Sequence, residues 1–159
     1  MRTRGGATCR GAEVADVDRI LALLSPNAAR GLVLPRSAQE IREAIADFLV
    51  AVDATDTQAL GCVALRDYGG GLQEVRSLAV APEAMGQGIG SALVRTAVET
   101  AARQGATKVF ALTLRPNLFL KMGFRQVDKS LFPLKVWLDC SRCRKREECD
   151  EIAVLFSMG

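Results

Sequence analysis

Polar and apolar positions change period several times along this chain, and each change marks an element. Residues 7–10 read as a first strand. From Glu13 to Leu24 the apolar residues Val14, Val17, Ile20, Leu21 and Leu24 recur at helical spacing, with Ser25-Pro26 as the expected stop. Ser37-Ala38-Gln39-Glu40 has the form of a capping box, and Ile41, Ala44, Ile45 and Phe48 continue a second helix behind it. Residues 48–53 and 59–67 read as strands joined by a polar turn. Tyr68-Gly69-Gly70-Gly71 reads as a loop, and residues 72–80 as a long strand. Residues 88–104 form the main helix, with Gly105 where a helix C-terminus wants it. Residues 108–113 read as a strand, 116–122 as a short helix with proline in its first turn, 124–128 and 151–156 as the last strands. The order β α α β β β α β α β β predicts an α/β chain.

The segment Met85-Gly86-Gln87-Gly88-Ile89-Gly90-Ser91 joins the long strand to the main helix. A helix start carries unpaired backbone N–H groups and a partial positive charge, and glycines let a ligand approach the main chain. Together these make an anion site, most naturally for a phosphate or pyrophosphate. A P-loop would place Gly-Lys-Ser/Thr at the helix start, and no lysine is there. A dinucleotide fold would place its glycines after the first strand of a βαβ unit with an acidic residue further on, whereas this turn lies past the chain's midpoint.

Composition narrows the picture. The 159 residues suit one domain, and 49% hydrophobic with 25% charged residues is a globular balance able to bury a sizeable core. No apolar run reaches the length of a membrane span, and the N-terminus lacks the apolar core of a signal peptide, so no membrane partner and a cytoplasmic location are expected. A net charge of +3 is too small to argue for nucleic acid but suits an anionic ligand. Histidine is absent, which removes the commonest general base and metal ligand. Of the five cysteines, Cys9 and Cys62 sit among apolar residues and are expected in the core. Cys140, Cys143 and Cys149 cluster as C-x-x-C-x-x-x-x-x-C, which leaves three readings open: structural zinc with a fourth ligand such as Asp139, Asp150 or water, a regulatory disulfide, or reduced thiols packing a loop.

Gly88 and Gly90 fit Q/R-x-x-G-x-G/A, the acetyl-CoA loop of the GNAT acetyltransferase superfamily, with Met85 standing where that family usually has Arg or Gln. Gly123-Phe124 after a short helix resembles the Gly-Phe that opens the superfamily's sixth strand. The order of elements resembles the GNAT fold from end to end. The resemblance implies a single GNAT-like domain over residues 7–157, with a mixed, mostly antiparallel sheet flanked by helices. Several segments are similar, in order, to bacterial N-acetylglutamate synthases: residues 30–37, 61–65, 74–80, 109–115, Gly123-Phe124 with Val127-Asp128, 132–137, and the cysteine-bearing tail. Longer members of that group carry an amino-acid-kinase-like domain ahead of the acetyltransferase domain. Arginine feedback at such a domain is not implied for this sequence.

The resemblance implies acetyl transfer from acetyl-CoA to the α-amine of L-glutamate by direct attack in a ternary complex, the first step of arginine biosynthesis. Main-chain N–H groups of Leu78, Ala79 and Val80 would meet the acetyl and pantetheine groups, and those of Gly86, Gln87, Gly88, Ile89, Gly90 and Ser91 the pyrophosphate. Glu74, a carboxylate in an otherwise apolar strand, is the candidate base, because burial would raise its pKa toward a useful range. Glu74 and Arg76 share a strand face by the two-residue period, so Arg76 either pairs with Glu74 or binds substrate. Glutamate's two carboxylates call for fork-shaped cations. Arg36 and Arg115 match arginines of the family's motifs, with Lys135 as a third candidate. Many GNAT enzymes place a general-acid tyrosine four residues ahead of this glycine-phenylalanine pair, where this chain has Phe119; Tyr68 is expected in a distant loop. Two alternatives stay open: acetylation of another small amine or a protein amine, and a non-catalytic acetyl-CoA-binding sensor or interaction module. The reading also leaves room for a homodimer.

Overall fold

The computed structural model of the chain describes residues 7–29, 37–128 and 152–158. Its strands are β1 (Thr8–Gly11), β2 (Phe48–Val52), β3 (Ala59–Gly69), β4 (Leu72–Val80), β5 (Lys108–Thr113), β6 (Arg125–Val127) and β7 (Ile152–Ser157). Its α-helices are α1 (Val17–Ala29), α2 (Ala38–Glu43), α3 (Ile89–Arg103) and α4 (Pro116–Leu120). The strands form one sheet in the order β1-β2-β3-β4-β5-β7-β6. Only β4 and β5 run parallel; every other neighbouring pair is antiparallel. The α/β class and the mixed, mostly antiparallel sheet are as the sequence reading expects.

All five residues of β2 are buried, which explains its unbroken apolar run Phe48-Leu49-Val50-Ala51-Val52. On α3 the buried stripe is Ile89, Ala92, Leu93, Val94, Ala97 and Ala101. Gly61 lets β3 approach that stripe: a Cβ there would lie 2.9 Å from Leu93 Cδ1 and 3.0 Å from Ile89 Cγ2. Residues alternate across a strand, so Val63 and Leu65, with Leu65's partner Val75, share the α3 face. Arg66, Glu74 and Arg76 therefore stand on the opposite face. Helix α3 ends as expected: Gly105 has φ 88°, Ala106 N donates to Ala101 O at 3.0 Å, and Gly105 N donates to Ala102 O at 3.0 Å.

Several boundaries differ from expectation. A 3-10 turn over Val14–Asp16 opens the first helical region, and α1 then runs through Ser25 and Pro26 to Ala29. Burial of Ile20, Leu23 and Leu24 carries the helix across a proline that sequence rules treat as a stop. The second helix gives way to a 3-10 turn over Ile45–Asp47 before β2, although its capping box is as expected, with Glu40 N donating to Ser37 Oγ at 3.1 Å. Strand β3 extends through Tyr68 to Gly69, so the expected four-residue loop shrinks to Gly70-Gly71, with φ 64° and 83°. Both positive values are what a tight two-residue hairpin requires.

Candidate active site

The parallel ladder pairs Leu72 with Lys108, Gln73 with Val109 and Glu74 with Phe110, and ends there. Beyond it β4 continues against β3 as far as Val80, while β5 continues against β7 to Thr113. The two central strands thus fork after Glu74, and the β5-facing edge of residues 75–80 has no ladder partner among the described residues. The β3–β4 register also slips here. Ala64 pairs with Arg76 but Cys62 with Ala79, so Ser77 and Leu78 oppose Val63 alone. Ser77 has φ 54°, an uncommon left-handed conformation for a serine. The bulge bends the strand and disrupts pairing next to the fork. Leu78, Ala79 and Val80 lie just past it.

After β4 a 3-10 turn over Pro82–Ala84 leads to the glycine segment. Gly86 has φ 83°, and Gly88 caps α3 with φ 79°. Ala92 N donates to Gly88 O at 3.0 Å. The amides of Ile89, Gly90 and Ser91 precede that bond and have no intrahelical acceptor. A Cβ at Gly86 or Gly88 would meet nothing within 4 Å, so the backbone there is open to an approaching group. Ile89 offers only its main chain, because its side chain is in the core. Gly90 packs the first turn of α3 closely: a Cβ there would lie 3.5 Å from Leu118 Cδ2 and 3.8 Å from Val80 Cγ2. An anion fits this cradle on three grounds: open main chain, unpaired amides and the positive end of a 15-residue helix.

Glu74 is 8% exposed at the base of the fork. Tyr68 Oη donates to Glu74 Oε1 at 2.9 Å, and Arg76 Nη1 lies 3.7 Å from the same oxygen. The shared face of Glu74 and Arg76 is as the strand period expects. Tyr68 corrects the sequence reading: it is not in a distant loop but buried in β3, where the register slips between Asp67 and Gly69. Arg66 Cζ sits 5.1 Å from the centre of its ring, and the Phe110 ring lies 6.0 Å away. Burial, then the neighbouring Glu74 charge, push the Tyr68 phenol well above its ordinary pKa, so it stays protonated and donates. A strand that ends in a bulge has no signature in residue types alone, because the bulge is a property of strand pairing.

Arg115 is exposed at the N-cap of α4, at the C-terminal end of β5, and its backbone N donates to Thr113 Oγ1 at 2.9 Å. Phe119 is buried edge-on against Phe124, with centroids 5.2 Å apart. Cys9 and Cys62 are buried free thiols, as expected. Cys62 Sγ lies 3.6 Å from Ser77 O beneath the bulge, and burial pushes its thiol up to about 12. Arg36, Lys135, Cys140, Cys143 and Cys149 lie outside the described residues. Among the described residues no group of three or more acids, cysteines or histidines could hold a metal ion, and no helix is long and apolar enough to cross a membrane.

The sheet thus forks beside a strand bulge, and a glycine-capped helix leads out of the fork. The profile of the acetyltransferase (GNAT) domain matches residues 44–126, and this chain belongs to that family. An uncharacterized N-acetyltransferase of Chlorobaculum tepidum is 42% identical over 93% of this chain and 95% of its own length. Amino-acid acetyltransferases of Ralstonia nicotianae and Mycobacterium tuberculosis are 36% and 31% identical over 72% and 75% of this chain. The chain spans 26% of the Ralstonia protein's length and 68% of the Mycobacterium protein's. The N-acetylglutamate synthase of Neisseria gonorrhoeae, solved with coenzyme A and N-acetyl-glutamate, superposes with a TM-score of 0.85 at 24% identity, over 96% of this chain and 35% of that one. A Mycobacterium tuberculosis protein solved with CoA gives 0.84 at 24% identity, over 96% and 99%. At that identity the superpositions establish the shared fold. The chain is an acetyl-CoA-dependent acetyltransferase related to the amino-acid acetyltransferases.

Proposed function

We propose that residues 7–157 form a domain that transfers the acetyl group of acetyl-CoA to the α-amine of L-glutamate. The observation that carries this reading is the buried Glu74 carboxylate on the last rung before the fork, beside β4 main chain that the fork leaves without a β5 partner. The names of the Ralstonia and Mycobacterium relatives supply the substrate class, an amino acid. The pyrophosphate would lie on the amides of Gly86 to Ser91, and the acetyl and pantetheine groups along Leu78, Ala79 and Val80. Glu74 takes the proton of the substrate ammonium, directly or through water. The freed amine attacks the thioester carbonyl, and the oxyanion is held by β4 main-chain donors. The C–S bond breaks as coenzyme A leaves as the thiolate, which takes up, directly or through water, the second proton that the new amide nitrogen gives up. Preorganised backbone donors of this kind are worth a few kcal/mol of barrier lowering. Arg115, Arg76, Arg36 and Lys135 are the proposed partners of the substrate carboxylates. The substrates are small polar metabolites, which suits a cytoplasmic enzyme.

The test is release of free coenzyme A when the protein meets acetyl-CoA and a panel of amines. Turnover with L-glutamate and formation of its N-acetyl derivative are expected. Turnover confined to lysine side chains, polyamines or other amino acids would move the substrate elsewhere while leaving acetyl transfer intact. Binding of acetyl-CoA without turnover on any amine would leave a sensor or interaction module.

A further inference from the structure

Tyr68 is the single tyrosine of this chain. The bulge between Asp67 and Gly69 leaves it outside the regular pairing of β3, and its side chain spans to the next strand to reach Glu74. The phenol ring sits against Phe110, with the Arg66 guanidinium 5.1 Å from its centre, and the hydroxyl ends 2.9 Å from Glu74 Oε1. A fluctuating surface tyrosine could not hold a carboxylate in one orientation; a buried ring packed against a neighbour can. We propose that Tyr68 is the positioning residue of the active site, holding the Glu74 carboxylate ionised and in one orientation for proton transfer. The inference rests on the reading of Glu74 as the base.

The groups around Glu74 decide the direction of the effect. From β4 it meets Arg76, and from β3 Tyr68, whose ring carries Arg66 beside it. From β5 its partner is the apolar Phe110, and β7 adds apolar Ala153 and Leu155 to the same small cluster. Asp47, ahead of β2, interacts with Arg66 and Asp67. Burial opposes ionisation of a carboxyl group, whereas a donated hydrogen bond and a nearby guanidinium favour it. The Tyr68 hydroxyl therefore offsets the burial of Glu74. Its removal takes a donor away from the charged form, so the Glu74 carboxylate becomes easier to protonate.

In Tyr68→Phe, which keeps the ring, the acid limb of the kcat/KM profile for the amine should move up by roughly one to two pH units. Activity should fall at neutral pH and recover as the pH rises, with KM for acetyl-CoA unchanged. An acid limb that stays where it is in wild type overturns the proposal. A second measurement does not need this variant to fold. Because tyrosine occurs once, growth on 3-fluorotyrosine labels position 68 alone. The fluorine resonance should then report a single acidic titration step that disappears in Glu74→Gln. No such step, with Glu74→Gln inactive, overturns the role of Tyr68 and leaves the base standing. A clear step, with Glu74→Gln fully active, overturns the base reading on which the proposal depends.

Discussion

Glu74 and Phe110 form the last rung of the β4–β5 ladder. One residue further along, the strands have no rung between them, so the carboxylate stands where the sheet opens. A buried carboxylate in the middle of a paired sheet would be a liability; at the mouth of a fork it can meet a substrate amine.

Glu74→Gln should lower turnover by about 10²–10⁴-fold at neutral pH. Glutamine keeps the shape and can still meet Tyr68, but it cannot take a proton. The loss should shrink as pH rises, because solvent then deprotonates the amine before it binds. Steady-state kinetics across pH check this, and a loss that is equal at every pH would point to a purely structural Glu74–Arg76 pair.

Gly88→Asp should abolish acetyl-CoA binding in a folded protein. The substitution puts a negative charge in the anion cradle, at a residue with φ 79°. Gly88→Ala is the control: it pays the left-handed backbone penalty of about 1 kcal/mol without the charge, and there is space for its methyl group. Calorimetric titration with acetyl-CoA should show weakened binding for alanine and none for aspartate. Wild-type affinity in Gly88→Asp would remove the glycine turn from the donor site.

Arg115→Ala and Arg36→Ala should each raise KM for glutamate far more than KM for acetyl-CoA. Loss of one charge-assisted contact to a carboxylate costs on the order of 2–4 kcal/mol. Arg115 is exposed and has no side-chain partner among the described residues, so its truncation should leave stability nearly unchanged. If both variants keep wild-type glutamate kinetics, neither arginine holds a substrate carboxylate.

Asp16→Asn should destabilise the fold by roughly 2–3 kcal/mol at pH 7. The Asp16 carboxylate is 2% exposed and receives Arg10 Nη1 at 2.8 Å, which holds it below the usual carboxylate range. A depressed folded pKa contributes stability above the unfolded value of about 3.9 and loses it as pH falls through the folded value. Urea melts of the two proteins should therefore differ at neutral pH and converge in acid. Parallel melts that keep the same separation at pH 2 would contradict this assignment.

Gly61→Ala should cost about 1–3 kcal/mol by overpacking, because the added methyl would press on Leu93, Ile89 and the Ala79 carbonyl. Partial recovery in Gly61→Ala with Leu93→Val would confirm that helix α3 is what the glycine accommodates. Thermal melts of the single and double variants measure it.

Local chemistry made much of this protein legible from its residues. The Ser37–Glu40 box, the apolar stripe of α3, Gly105 at its end and the glycine turn before it all act within a few residues, so their signals sit side by side in the chain. The period of two likewise placed Glu74 and Arg76 on one face. What only the tertiary structure decided is whatever depends on register between distant segments. Ser77 takes φ 54° because two residues of β4 must oppose one of β3. Tyr68 reads as loop beside three glycines, yet a register slip makes it part of β3 and brings its hydroxyl to Glu74. Pro26 reads as a stop, yet burial of α1 outweighs a local penalty. The fork itself has no sequence signature, because it is the absence of pairing between β4 and β5 beyond Phe110. Pairing is set by what each strand finds on its other edge: β3 for one and β7 for the other.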